Sequence, residues 1–275
     1  MPESNASPTA LLLKTIEHVL KEGSLAALAT LTSAHTNVGR KLLIPQSSSV
    51  VGSLGDTALD TAVAQHAVKF LATRDEAHLF RVAEFAPELA DWAEASVLFE
   101  RIQPEPRLVI CGAGHVGAAL ARLASFTGYR ATLVDDRAEF VTRERFPDER
   151  IELVAASSWE AAVREAIGNG HGVSVAVVTR GHNEDEECMQ AVMATDADYV
   201  GLIGSKRRTN IVIERLREAG VGEDKLRQIR APVGLDIGAV TPEEVALSIL
   251  AEIVAQRRGG KGGSLSSWRR SQKEG

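Results

Sequence analysis

A chain of 275 residues, 44% of them hydrophobic, exceeds the usual single-domain size and is rich enough in apolar side chains for two modest cores. Its 31 basic and 37 acidic residues nearly cancel, at a formal net charge of -6, which leaves no electrostatic footprint for wrapping nucleic acid or adhering to an anionic membrane. The two cysteines, Cys111 and Cys188, are too few for a disulfide scaffold and lack zinc-site spacing. The chain start lacks the regions of a signal peptide, and no apolar run approaches the ~20 residues of a spanning helix. These exclusions predict a cytoplasmic protein that binds a small ligand or another protein and has no metal site of its own.

In chain order, Ser7 can cap a helix starting at Pro8, with Leu12, Ile16, Val19 and Leu20 on one face and Gly23 as its stop. β-like runs follow at Ala26 to Leu31 and Lys41 to Ile44. A turn-rich stretch over 47–56 then leads to a helix carrying Leu59, Ala62, Val63, His66 and Phe70 at helical spacing. His66 is most simply a packed polar residue. After β-like runs at Leu79 to Val82 and Val97 to Ile102, Pro104 and Pro106 cannot extend a central strand or helix and close a small domain at 1–103.

From Arg107 the pattern becomes regular. Strands are predicted at Leu108 to Cys111, Ala131 to Asp135, Ile151 to Val154, Val173 to Val178 and Tyr199 to Ile203. Helices begin at Gly114, Ser158, Asn183 and Ser205. The last helix has Thr241 as cap, Pro242 at its first position and Glu244 to complete a capping box. Alternating strands and helices predict an α/β fold, a Rossmann-like parallel-sheet domain over 104–258 preceded by a smaller α+β domain. Beyond Arg258 the Gly, Ser, Lys and Arg composition predicts a disordered tail over 259–275.

The stretch Gly112-Ala113-Gly114-His115-Val116-Gly117 lies between an apolar strand and a helix. There glycines permit the tight turn, backbone approach to a phosphate and close helix packing, and the helix dipole favours negative charge. Asp135 and Asp136 end the second strand, where a carboxylate either hydrogen-bonds a ribose hydroxyl or simply starts a turn. Thr179-Arg180-Gly181-His182 and Gly204-Ser205-Lys206 leave later strands at their C-terminal ends, so both converge on the glycine loop if the sheet is parallel. Gly204 and Ser205 open a helix that can take a second anion, with Lys206 or Arg208 adding charge. His115 and His182 either donate to a ligand or are structural, and Glu184 to Glu187 complement a helix dipole.

These segments, in order, CGAGHVG, VDDR with ERFPD, VTRGHNED, YVGLIGSKRR and APVGLDIGAVTPEEVALSILAEI, resemble the xanthine dehydrogenase accessory family, the XdhC/CoxI-like proteins, over nearly all of Arg107 to Arg258. The resemblance implies a chaperone that binds molybdenum cofactor, in the molybdopterin or the dinucleotide form. It would protect the cofactor during sulfuration and insert it into a xanthine dehydrogenase-type molybdoenzyme, without catalysing a reaction of its own. A cysteine desulfurase is implied as a further partner, and a homodimer is expected. The first domain departs from the family's Gly-Ser-x-Pro-Arg and Gly-Gly-Cys-x-Glu stretches. It has Thr32-Ser33-Ala34-His35 and, over 52–60, Ala58 where the cysteine and Asp60 where the glutamate would align. The residues by themselves also allow an NAD(P)-dependent oxidoreductase, with His182 or Lys206 transferring the proton, or a module that senses a dinucleotide.

Overall fold

The structure, a computed structural model, describes residues 8–73, 75–168, 170 and 172–267. The chain divides into two compact units, Met1–Pro104 and Glu105–Gly275. The first contains α1 (Pro8–Lys21), β1 (Ala26–Ser33), β2 (Lys41–Pro45), β3 (Val51–Gly52), α2 (Thr57–Ala72), β4 (Ala77–Arg81), α3 (Val82–Phe85) and β5 (Ser96–Ile102). Pro8 starts α1 as its fixed φ allows, while the cap expected from Ser7 lies outside the described residues.

The five strands form one antiparallel sheet in the order β3-β2-β1-β5-β4. Side chains alternate across β1. Ala27, Ala29 and Leu31 pack with Leu59, Val63, Ala67 and Phe70 of α2, whereas Ala26 and Leu28 join Leu12, Ile16 and Val19 of α1. Both faces are therefore covered, and each large side chain buried there stabilises the unit by about 1.5–3 kcal/mol. Val82, expected to continue a strand, instead turns the chain into α3 as its amide donates to the Ala95 carbonyl. β3 has two residues, too few to show a period.

His66 sits on α2 inside an aromatic cluster, stacked on Phe85 at 4.5 Å and edge-on to Phe80 at 4.5 Å and Phe99 at 5.3 Å. Its Nε2 is buried with no hydrogen-bond partner among the described residues. Burial lowers its pKa, helped by the Lys69 and His78 charges and opposed by Glu84. The folded chain therefore prefers the neutral ring. Below about pH 6.5 the unfolded chain takes up a proton that the folded one resists, and stability falls with pH. His66→Phe should flatten the loss of melting temperature between about pH 7 and pH 5. An unchanged slope would show that other groups cause the loss.

The second unit contains β6 (Arg107–Cys111), α4 (His115–Phe126), β7 (Arg130–Asp135), β8 (Ile151–Ala155), α5 (Trp159–Ile167), β9 (Val173–Val177), α6 (His182–Met193), β10 (Tyr199–Leu202), α7 (Lys206–Glu218), α8 (Glu223–Leu226) and α9 (Pro242–Arg258). Its five strands are all parallel, in the order β10-β9-β6-β7-β8. Arg230 adds a parallel bridge to Gly201 on the β10 side. Leu108 and Ile110 of β6 face α4 and α9, and Val109 and Cys111 face α5, α6 and α7, so helices cover the sheet on both sides.

α9 is the most completely specified helix. Thr241 and Glu244 form a capping box, Pro242 occupies the first turn, and Gly259 closes the far end at φ 61°. Within the expected tail, residues 259–267 include a single 3-10 turn at Leu265–Ser267. The remainder of that tail, 268–275, lies outside the described residues.

Candidate functional site

In this strand order the chain runs outward from β6 to β8, then returns to the other side of β6 with β9. The point of reversal lies between β6 and β9. Because all five strands are parallel, the loops after β6, β7, β9 and β10 leave from one edge of the sheet, and this brings together the glycine loop, Asp135 to Arg137, Thr179 to His182 and Gly204 to Lys206. A neighbour of β10 that sequence reasoning missed contributes another loop. After the Arg230 bridge, the segment over 231–241 emerges at the same edge, with Ile237 50% and Val240 84% exposed. It is tied down by Glu252 of α9, whose Oε2 accepts from the Gly234 amide at 2.8 Å and the Tyr199 hydroxyl at 2.7 Å. A single bridging residue shows no strand pattern in the sequence.

The three glycines of the first loop have different duties. Gly112, at φ 111°, lies where a Cβ would come within 2.7 Å of the Val178 carbonyl oxygen and 3.0 Å of the Thr179 Cα, so the β6 and β9 loops touch backbone to backbone. A Cβ on Gly117 would overlap the Gly112 carbonyl oxygen and crowd Val178 Cγ2 at 3.2 Å. Gly114 meets nothing within 4 Å. It is the N-cap of α4 and supplies no side-chain cap, so the first amides of α4 lack an acceptor among the described residues, with the positive end of the helix dipole behind them. His115 is exposed and Val116 half-buried at that opening.

Of the two roles open to Asp135, a hydrogen bond to a ribose hydroxyl or the start of a turn, its contacts fit the second. Its side chain is 1% exposed, and both oxygens are engaged within the protein. Oδ2 accepts from the Ala113 amide at 2.6 Å and from Arg137 Nη2 at 2.9 Å, and Oδ1 from Arg137 Nε at 2.8 Å and its amide at 3.0 Å. Burial pushes this carboxyl up, but Arg137 and the two amides outweigh it and hold it below the ordinary carboxylate value. Its work is to brace the glycine loop against the end of β7.

Asp136 is exposed but also paired, taking a two-pronged ion pair from Arg180 at 3.0 and 2.9 Å across the reversal point, while Arg180 Nε reaches Glu184 at 3.3 Å. Glu184 folds its carboxylate back over Gly181, the N-cap of α6, so this helix start carries its own anion.

A third constraint was not legible. Asp185, expected to be a dipole-complementing acid, is fully buried, and Arg208, expected to add charge to a ligand site, is spent on it. Arg208 Nε donates to Asp185 Oδ2 at 2.7 Å and Nη2 to the Thr179 and Gly181 carbonyls at 3.3 and 3.1 Å, while the Thr179 hydroxyl donates to Asp185 Oδ1. Burial raises the Asp185 carboxyl, and these donors oppose the rise. The group clamps the start of α6 to the start of α7. The one sequence signal was a threonine and an aspartate bracketing the second loop, with an arginine in the next helix.

Ser205 caps α7, its hydroxyl oxygen accepting from the Arg208 amide at 3.2 Å, which leaves its proton free to donate. Gly204, at φ 150°, is half-buried against Arg208 and Thr209. Lys206 and Arg207 are exposed in the first turn of α7, and the side chain of neither makes a hydrogen bond or ion pair among the described residues. His182 is exposed at the first position of α6. The arginines at 137, 180 and 208 already face carboxylates, whereas Lys206 and Arg207 do not, so positive charge for an anionic ligand would have to come from those two side chains and from bare amides.

In the first unit, the stretch over 52–60 is held by Asp60, which accepts from the Ser53 hydroxyl and the Leu54 amide, each at 2.7 Å, while Asp56 caps α2. Ala58 is exposed in the first turn of that helix. Cys111 and Cys188 are both buried, and contact with Cys111 together with burial pushes the Cys188 thiol up. Among the described residues no helix is long and apolar enough to cross a membrane, and no group of three or more His, Cys, Asp or Glu is placed to hold a metal ion.

Residues 108–253 match the XdhC Rossmann domain family, and residues 19–83 match the XdhC and CoxI family. The uncharacterized protein YqeB of Escherichia coli (strain K12) is 32% identical over 228 residues, 81% of this chain and 41% of that protein. A probable xanthine dehydrogenase subunit of Bacillus subtilis (strain 168) is 32% identical over 59% of this chain and 46% of its own length. The molybdenum cofactor insertion chaperone PaoD of E. coli (strain K12) is 29% identical over 56% of this chain and 41% of its own. The chain thus spans less than half of each of these relatives. Among solved structures, a xanthine dehydrogenase from Bacillus halodurans shares the fold at a TM-score of 0.67 and 22% identity, over 94% of this chain and 69% of that one.

Proposed function

The chain belongs to the XdhC and CoxI family, and on that premise we propose that it is an accessory protein that holds molybdenum cofactor by its phosphate and delivers it to a xanthine dehydrogenase-type molybdoenzyme. The observation that carries this reading is the uncapped start of α4, where open space above Gly114 gives an anion access to amides that no side chain among the described residues satisfies. The chaperone PaoD among the relatives supports the choice of cargo. On this reading the amides of residues 115–117 take the phosphate oxygens, the Ser205 hydroxyl donates a further hydrogen bond, and Lys206 and Arg207 add charge. His115 and His182 stand at the rim. The molybdenum end supplies the reactive chemistry in the recipient enzyme, and this chain only holds and orients the organic part. Both cysteines are buried, so on this reading a separate cysteine desulfurase would carry any sulfur to the cargo.

Protein purified from cells that make the cofactor should, on denaturation, release a ligand with the fluorescence of oxidised pterin, and mixing the loaded protein with an apo-molybdoenzyme should move that ligand to the enzyme. Nicotinamide absorbance alone would reverse the reading in favour of an NAD(P)-dependent oxidoreductase, against which the engagement of Asp135 already weighs.

A further inference from the structure

Beside the glycine loop lies an alternating stack of cations and rings. The Arg137 guanidinium sits 3.7 Å from the Phe140 ring centre, Arg145 lies 4.7 Å from the same ring and 5.7 Å from Phe146, and Arg122 lies 5.0 Å from Phe146. Arg137 ends this stack. Its Nε and Nη2 are fixed by Asp135, its Nη1 makes no hydrogen bond among the described residues, and the side chain is 29% exposed. The carboxylate that fixes it also accepts from the Ala113 amide, so the guanidinium is two hydrogen bonds from the loop that precedes α4. A planar cation pinned at its edge, backed by a ring and set at that distance is preorganised to receive a second flat ring.

We propose that Arg137 is a stacking platform for a planar heterocycle joined to the ligand phosphate, so that the site takes a phosphate-linked heteroaromatic molecule rather than phosphate as such. The inference rests on the reading of the α4 start as the phosphate site and goes beyond it in assigning the neighbouring group. The ring can be the base of a nucleotide extension or the pterin itself, and both present the π-face and ring acceptors that a guanidinium engages.

The test is calorimetric titration of the full chain with inorganic pyrophosphate, cytidine 5′-diphosphate, adenosine 5′-diphosphate and 6-hydroxymethylpterin diphosphate. The heterocyclic diphosphates should bind about tenfold more tightly than pyrophosphate, a difference within the range of one stacked ring. Phe140→Ala, which removes the backing, should erase that preference and leave the pyrophosphate affinity unchanged, and Arg137→Lys, which keeps charge but loses the plane, should erase the preference too. Phe140→Leu serves if circular dichroism shows either variant unfolded. Tighter binding of the nucleotides identifies a base as the stacked ring, and tighter binding of the pterin identifies the pterin. If none of the diphosphates binds, the phosphate reading and the platform fall together. If they bind with no preference over pyrophosphate, or keep their preference in every folded variant, the platform alone is overturned.

Discussion

Gly117→Ala should destabilise the second unit by about 3 kcal/mol or more, because its new methyl group would overlap the Gly112 carbonyl oxygen and press on Val178. Both obstacles belong to the buried junction of β6, α4 and the β9 loop, and the nearer one, the Gly112 carbonyl, is main chain that cannot rotate away. Gly114→Leu has the opposite profile. A Cβ there meets nothing within 4 Å, and the φ of -66° suits any residue, so the melting temperature should stay close to that of the parent. Its side chain would occupy the space that a phosphate needs, and losing a charge-assisted hydrogen bond costs about 1.5–3 kcal/mol, a drop in affinity on the order of tens-fold. Thermal melts and ligand titration of the two variants separate fold from function. Full binding by Gly114→Leu would remove the loop from the site, and a stable Gly117→Ala would show that the packing gives way.

Arg208→Ala should cost about 3–5 kcal/mol in urea unfolding, the penalty for stranding a buried carboxylate, since Asp185 is 0% exposed. Asp185→Ala should cost less, because Arg208 is 23% exposed and can turn toward water. A pair of apolar replacements, Asp185→Leu with Arg208→Met, should recover much of the loss. If Arg208→Ala costs under about 1 kcal/mol, the pair behaves as a solvated surface bridge and the clamp between α6 and α7 is not what holds the two site loops together.

Much of the second unit was legible because its signals are local. Thr241, Pro242 and Glu244 mark the start of α9 whatever surrounds them, Ser158 and Ser205 do the same for α5 and α7, and runs such as Val173 to Val177 announce buried parallel strands. The parallel direction of the strands then follows from the alternation of strand and helix, and with it the gathering of three motif loops at one edge, whereas the strand order comes from the fold. The loop after Arg230 escaped because one bridging residue has no periodicity. Asp185 and Arg208, 23 residues apart, escaped because each alone looks like an ordinary helix-end charge.

Local chain chemistry places a strand, a glycine loop and an uncapped helix start in one contiguous stretch, where on the proposed reading anionic oxygens would dock without help from a distant partner. Which side chains remain available around that position depends on packing across the whole unit. Asp135, Asp136 and Arg208 carry charge in any reading of the sequence, but once packed, each satisfies a partner from another loop, helix or main-chain amide. A charge brought out of water must be met by a specific neighbour, and which neighbour is near enough is a property of the fold and not of the chain.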